Sequence, residues 1–451
     1  MVNLLSFINF EVILTILAIF TSVNVIRKSG LFQWLAIKGI KATKGEAYPL
    51  FILLCLVSSL FSGFITAIAV MVIIGNLTID VAKVLNISPT PYLVAEAIVV
   101  KLGGLLTPIS GILNIIISGE LPAASFYFFA VRLIPLFCLL VPVTILVLLR
   151  QFKVLEEPVE RRRVFLMEVN PWMVVPNKWL LKSAATLFIA MIASFIILSK
   201  LFVRVELWLV AVIFMLIFLS LPHTKAKEVF RDLDWGLLFF LIGLFILVEG
   251  LNQYALLSRI AEGMVILLQE NKILSILALL WFSYFASGII NSLAVTVVLI
   301  PIVQQLLSTE GLAAISPILI TALIISVNLG SNLTPMASVT TVIAMSLTRK
   351  TKKEFSSKEF FKIGFLISFL HLSIVTVYLS LVFLFTYFYS SSIAVINLFV
   401  IGMAIGSFAV LYFQKRGHKK VRKVLSKCLY YFSKLKKGIK DLLKKLFSLV
   451  S

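Results

Sequence analysis

Long runs of apolar residues alternate with short polar segments along this 451-residue chain. Several of the runs exceed the roughly 20 residues that an α-helix needs to cross a bilayer. They lie near residues 7–26, 47–75, 90–118, 126–149, 181–199, 204–221, 236–254, 272–306, 313–347, 359–388 and 392–412. The pattern predicts an all-α integral membrane protein.

The polar segments indicate how these runs cross the membrane, because basic loops usually face the cytoplasm. The basic segments are residues 27–44, 150–182, 225–231, 349–362 and the carboxyl-terminal tail. These basic segments all lie on one side of the membrane only if runs 47–75 and 272–306 each enter and leave the membrane by the same face. Both runs carry polar residues at mid-run, around Ser59 and Ser287, which suit the tip of a re-entrant hairpin. We therefore predict nine spans and two hairpins in the cell membrane, with a cytoplasmic carboxyl terminus.

One octamer occurs twice, as KLGGLLTP from Lys101 and as NLGSNLTP from Asn328, 227 residues further along. The similarity extends outward, since residues 10–36 parallel residues 235–261 and the tip at Ser59 corresponds to that near Ser287. In the predicted threading the two copies start on opposite sides, which makes them inverted-topology repeats. The predicted parts are a first repeat (1–150), a cytoplasmic linker (151–180), two connecting helices (181–222), a second repeat (223–390), a last span (391–413) and a basic tail (414–451).

Gly and Pro within paired apolar runs predict broken helices. Interrupted segments at corresponding positions of inverted repeats indicate the binding site of a transporter. The alternative interpretation is that Gly and Pro only permit close helix packing or a kink.

Composition agrees with a membrane protein, since 61% of the residues are hydrophobic and 14% are charged. The net charge of +21 is concentrated in the tail, where Lys415–Lys445 holds thirteen basic residues and one acid. Apolar residues recur there at helical spacing, which is typical of an amphipathic helix on anionic lipid rather than of a nucleic-acid-binding segment. A regulatory or protein-binding role for the tail is the alternative.

Motifs for other chemistry are missing from the sequence. The cysteines Cys55, Cys138 and Cys428 are far apart, as are the three histidines, so local spacing predicts neither a disulfide framework nor a metal site. The sequence has no phosphate-binding loop and no nucleophile–base arrangement. We expect no cofactor and no enzymatic activity, although coupling to protons or sodium ions stays open. The apolar segment from Phe10 to Val25 is interpreted as a permanent span, because no cleavage motif follows it.

Ser88–Gly119, SPTPYLVAEAIVVKLGGLLTPISGILNIIISG, resembles the ion-transporter superfamily. It is similar to the branch that contains arsenical pump membrane proteins, sodium/proton antiporters and the melanosomal P protein. The second copy, Ser326–Lys350, looks most like arsenite permeases, and citrate and dicarboxylate carriers are more distant. The resemblance covers about residues 10–385 and implies an elevator-like, often homodimeric secondary carrier. It places the solute between hairpin tips and broken helices.

The implied substrate-binding residues form four groups. At the hairpin tips they are Ser59, Ser62, Gly63 and Thr66, and Ser287, Gly288, Asn291 and Ser292. At the helix breaks they are Lys101, Gly103, Gly104, Thr107, Pro108 and Asn114, and Asn328, Gly330, Asn332, Thr334, Pro335 and Ser338.

The sequence departs from the family pattern at the charged positions. Gly63-Phe64 and Asn291-Ser292 replace the Asp-Asn of many relatives, and Val100-Lys101 replaces Ser-Asn. A charge at membrane depth is costly and usually functional. Lys101 is interpreted as a fixed cation for an anionic substrate, as a stand-in for a sodium ion, or as a titrating group. The structural alternative is an ion pair with Glu96, or a side chain that extends toward the interface.

These observations favour a secondary carrier of an anion or oxyanion, such as arsenite, antimonite or a carboxylate. A sodium/proton antiporter that uses Glu96 or Glu249 is the first alternative. Arg132 and Glu249 are interpreted as structural or interface residues more readily than as ligands. A membrane scaffold or sensor whose basic tail is its active part is the third hypothesis.

Overall fold

The computed structural model describes residues 8–152, 157–201, 206–253, 271–308, 312–349, 355–388, 396–397 and 400–407. All regular secondary structure in these ranges is helical, which confirms the predicted all-α class. The predicted basic tail, most of the last span and residues 254–270 lie outside the described residues.

Eight α-helices begin in the described part of residues 1–150, the predicted first repeat. They are α1 (Phe10–Lys28), α2 (Leu31–Ala42), α3 (Ala47–Phe61), α4 (Ala67–Leu85), α5 (Thr90–Val99), α6 (Ile112–Glu120), α7 (Phe126–Arg132) and α8 (Ile134–Gln151). Side-chain caps start several of them: Asn9 Oδ1 accepts a hydrogen bond from the Val12 amide at 3.1 Å, and Thr66 Oγ1 accepts one from Ala69 at 3.3 Å. Asn86, with a φ of 56°, ends α4 in the left-handed conformation.

The linker contains α9 (Glu160–Glu168), and α10 (Lys178–Leu201) and α11 (Leu207–Ser220) follow it. The second repeat contains α12 (Ala226–Arg231), α13 (Trp235–Gln253), α14 (Lys272–Ile289), α15 (Ser292–Ser308), α16 (Ser316–Leu329), α17 (Val339–Arg349) and α18 (Ser357–Phe388). Six of the described helices are long and apolar enough to cross a membrane, and five shorter ones are also apolar.

Both predicted hairpins are present. Helices α3 and α4 form the first and pack together, and α14 and α15 form the second. The first hairpin continues to Leu85, beyond the predicted boundary at residue 75, because no helix-ending residue precedes Asn86. Both predicted broken spans are also present. Short 3-10 helices, Leu102–Leu105 and Gly330–Asn332, follow α5 and α16 before the chain turns into α6 and α17.

The run at 126–149 differs from the expected single helix, because it is divided between α7 and α8 at Leu133. Pro135 lacks an amide hydrogen and its ring prevents the normal helical bond to the carbonyl of Val131. That carbonyl instead accepts a hydrogen bond from Asn397 Nδ2 at 2.5 Å. The Arg132 carbonyl accepts one from the Tyr378 hydroxyl at 2.9 Å. The carbonyl groups at this division therefore bond the end of the first repeat to α18 and to the segment after it.

The two repeats interlock through the second halves of their broken spans. Helix α6 packs on α15 and α16 of the second repeat, while α17 packs on α4 and α5 of the first. These packing contacts bring the two helix breaks close together in the interior of the described helices.

Candidate functional site

Each helix break lies directly against the tip of the hairpin in its own repeat. A Cβ added at Gly103 would overlap Ser62 Oγ and the Ser59 carbonyl. A Cβ added at Gly330 would overlap the Tyr284 carbonyl. Glycine is required at both positions because the two backbones approach too closely for any side chain.

A threonine fixes each break to its tip. Thr107 donates its hydroxyl hydrogen to the carbonyl of Gly63. Thr334 makes the equivalent bond to the Gly288 carbonyl at 2.7 Å. Together with the glycine contacts, this bond shows that Ser62 in the first tip is structurally equivalent to Ser287 in the second. The first tip is therefore shifted by three residues from the expected equivalence of Ser59 with Ser287.

Among the hydrogen bonds that cross between the repeats, two are equivalent to each other. Asn328 Nδ2 donates to Asn114 Oδ1 at 2.8 Å. Lys101 Nζ donates to Thr341 Oγ1 at 3.3 Å. The shift of 227 residues that relates the octamers pairs Lys101 with Asn328 and Asn114 with Thr341. The two bonds therefore join equivalent positions of the two repeats.

The two repeats differ at Lys101, whose equivalent in the second repeat is Asn328. The Lys101 side chain is buried, and its ammonium donates a second hydrogen bond to the Ser331 carbonyl at 2.6 Å. No other lysine or arginine is buried within the described residues. No ion pair among those residues includes Lys101.

The alternative that Lys101 pairs with Glu96 is wrong. The Glu96 carboxyl lies against α4, where Oε1 accepts a hydrogen bond from Thr78 Oγ1 at 2.5 Å. The turn after Val99 directs the lysine toward the second repeat, away from the face of α5 that carries Glu96. The positive charge at the junction therefore has no acidic partner in the described part of the chain.

Polar side chains stabilise the first break from inside. Asn114 Nδ2 donates to the Gly104 carbonyl at 2.5 Å and to Ser110 Oγ at 2.7 Å. A Cβ at Gly104 would overlap the Asn328 side chain, so this glycine makes room for the crossing bond. Asn332 donates to the Ile98 carbonyl at 3.4 Å, and its own Oδ1 has no hydrogen-bond partner within the described ranges.

The remaining candidates lie at helix starts around this centre. Thr66 caps α4, and Asn291 Oδ1 accepts the Leu293 amide at 2.9 Å at the start of α15. Ser338 Oγ bonds Thr340 Oγ1 at 2.7 Å before α17. Ser292 begins α15, Pro108 lies in the first break, and Pro335 lies in the second. None of these six makes a described side-chain bond across the two repeats.

Sequence reasoning missed three contributing residues, Ser110, Ser331 and Thr341. The repeat itself carried the signal for Thr341, because the 227-residue shift that relates the octamers also relates Thr341 to Asn114. Arg132 lies with its guanidinium 5.5 Å from the ring of Phe128, away from this centre, which agrees with a structural role.

The arrangement is suited to binding a small ion. Helices α6 and α17 both begin just after a break, so their positive N-terminal ends lie near the junction. Broken backbone also leaves amide and carbonyl groups outside helical hydrogen bonding, where they can contact a solute. In its protonated form, Lys101 adds a positive charge, which favours an anion.

The crossing bond between Asn114 and Asn328 should stabilise the junction. Replacing either residue by alanine leaves the other amide partly unpaired, at an expected cost of about 1–3 kcal/mol. The double variant should cost less than the sum of the two single variants. Thermal unfolding of the purified protein measures all three. Asn76→Ala is the control, since this exposed amide bonds only within α4, and additive single effects would contradict the pairing.

Comparison with known proteins identifies the group to which these features belong. The family model described as citrate transporter matches residues 1–320. The 46 kDa membrane protein of Mycobacterium leprae is 25% identical over 372 residues, which cover 82% of this chain and 86% of that protein. The human P protein is 22% identical over 437 residues, which cover 80% of this chain and 52% of that protein.

A solved structure has the same fold. The YdaH transporter of Alcanivorax borkumensis, described as having an unusual topology, superposes with a TM-score of 0.58 at 14% identity. The match covers 85% of this chain and 88% of that one. The expected superfamily is confirmed, although the matched model is that of the citrate carriers rather than of the arsenite permeases. The chain is a multi-pass membrane transporter and belongs to the citrate transporter family.

Proposed function

We propose that this transporter is a secondary carrier of a carboxylate-type anion, which binds at the junction of the two helix breaks, beside the hairpin tips. The observation that carries the proposal is the buried ammonium of Lys101, which has no acidic partner among the described residues. An unpaired charge at this depth is expensive unless a ligand compensates it. A carboxylate supplies the opposite charge.

Arsenite is a weaker candidate than a carboxylate. Arsenite is mainly a neutral hydroxide near neutral pH, so it would leave the Lys101 charge uncompensated. The name of the matched family, citrate transporter, supports the same preference. Anionic oxyanions remain within the proposed class.

A sodium/proton antiporter is the second candidate, and Glu96 is the residue that favours it. The Glu96 side chain is fully buried, and its Oε2 has no hydrogen-bond partner among the described residues. A buried carboxyl of this kind can bind and release a proton. Its position against Thr78, within the first repeat, separates it from the junction of the two octamers.

Flux into proteoliposomes distinguishes these functions. The purified protein is tested with labelled citrate, succinate, arsenite and phosphate, under imposed proton and sodium gradients. We expect saturable uptake of one carboxylate and little uptake of arsenite. If sodium drives a change of internal pH and no anion is taken up, the antiporter replaces the carrier.

A further inference from the structure

The shift of 227 residues that relates the two octamers isolates one unequal pair. Asn328 in the second break is a neutral amide that bonds Asn114 Oδ1 and, at 2.8 Å, the Ile324 carbonyl. Its equivalent in the first break is Lys101. The same position in the two halves therefore holds a neutral amide in one and an amine that can carry a positive charge in the other.

The Lys101 ammonium donates hydrogen bonds to oxygen atoms of the kinds that coordinate a sodium ion. Lys101 Nζ contacts a backbone carbonyl, that of Ser331, and a hydroxyl oxygen, that of Thr341. Unwound carbonyls at a helix break are typical ligands of coupling cations in transporters. Ser331 is also the equivalent of Gly104, whose carbonyl accepts from Asn114, so this carbonyl belongs to the break rather than to a regular helix.

Two of the three ammonium hydrogens are used within the protein, and the third has no acceptor in the described ranges. The group can therefore stay attached to the break and still contact an anion. A coupling sodium ion would bring the same single charge to the same place in each cycle.

We propose that the Lys101 ammonium takes the place of a coupling cation, so that anion transport by this chain needs no sodium ion. The inference rests on the proposed carrier function. It follows from the position and ligands of the ammonium, together with the neutral residue at the equivalent position. Removing the charge while retaining an oxygen ligand should then create a requirement for sodium.

The test compares the wild-type protein with Lys101→Asn, which copies Asn328, and with Lys101→Met, which has no oxygen ligand. Carboxylate uptake into proteoliposomes is measured in sodium chloride and in choline chloride. We expect wild-type uptake to be equal in the two salts. Sodium should stimulate Lys101→Asn by about 5- to 150-fold, the usual range for coupling between two ligands. Lys101→Met should respond to neither salt.

Thermal unfolding supplies a second readout that does not depend on transport. Sodium should raise the Tm of purified Lys101→Asn and leave that of the wild-type protein unchanged relative to choline. If Lys101→Asn does not fold, Lys101→Gln replaces it in both measurements.

Two results would overturn the inference. One is wild-type uptake, or a wild-type Tm, that falls when choline replaces sodium. The other is a folded amide variant that does not respond to sodium in either measurement. If the wild-type protein carries no anion at all, the proposed function fails, while the Tm comparison still tests the cation site.

Discussion

Lys101→Met is expected to reduce saturable anion uptake at least about tenfold. A hydrogen bond to a charged group contributes about 1.5–3 kcal/mol, and each 1.4 kcal/mol corresponds to about tenfold in affinity. Methionine has nearly the length of lysine but offers neither the charge nor a donor. Uptake into proteoliposomes at several anion concentrations measures the loss.

The matched control is Lys83→Met. The Lys83 side chain is 73% exposed and pairs only with Asp80 on the surface of α4, so the same chemical change should leave uptake unaltered. The fold of Lys101→Met should persist, because methionine fills a similar volume and removes the cost of burying a charge without an acidic partner. Uptake at the wild-type rate by folded Lys101→Met would remove Lys101 from the anion site.

Gly330→Ala is expected to abolish transport by a different route. The added methyl group would overlap the Tyr284 carbonyl and lie 3.0 Å from Ser287 Cβ, so the second hairpin tip must move away from the break. Overpacking of this kind typically costs about 1–3 kcal/mol. It would also separate Thr334 from the Gly288 carbonyl, which it contacts at 2.7 Å.

The control for this variant is Gly243→Ala in α13, where no atom of another described element lies within 4 Å of the added Cβ. Uptake and Tm are measured for both variants. Gly103→Ala should reproduce the defect in the first repeat, because its Cβ would overlap the Ser59 carbonyl. Normal uptake by either site variant would show that the tip can leave its break without consequence for transport.

The sequence predicted the hairpins and the helix breaks because both depend on a local pattern used twice. Gly103 and Gly330 interrupt their spans at the same place, and Thr107 and Thr334 follow them at the same distance. A repeat of this kind indicates which residues are equivalent. It does not fix the hairpin length, and so the first tip was placed three residues from its position in the structure.

The partner of Lys101 could not be predicted from local spacing. Glu96 lies five residues before it and looked available as an ion-pair partner. The chain leaves the helix after Val99, however, and this change of direction sends the two side chains to different repeats. The division at Leu133 was missed for a similar reason: Pro135 is visible in the sequence, but its distant partner Asn397 is not.

The most direct test of the account is equilibrium binding of a labelled carboxylate to the purified protein in detergent, with wild type and Lys101→Met side by side. The account predicts saturable binding to the wild-type protein that is at least about tenfold weaker in the variant, since the charge-assisted contact is lost. Equal affinity of the two proteins, both folded, would contradict the placement of the anion at the junction of the two breaks.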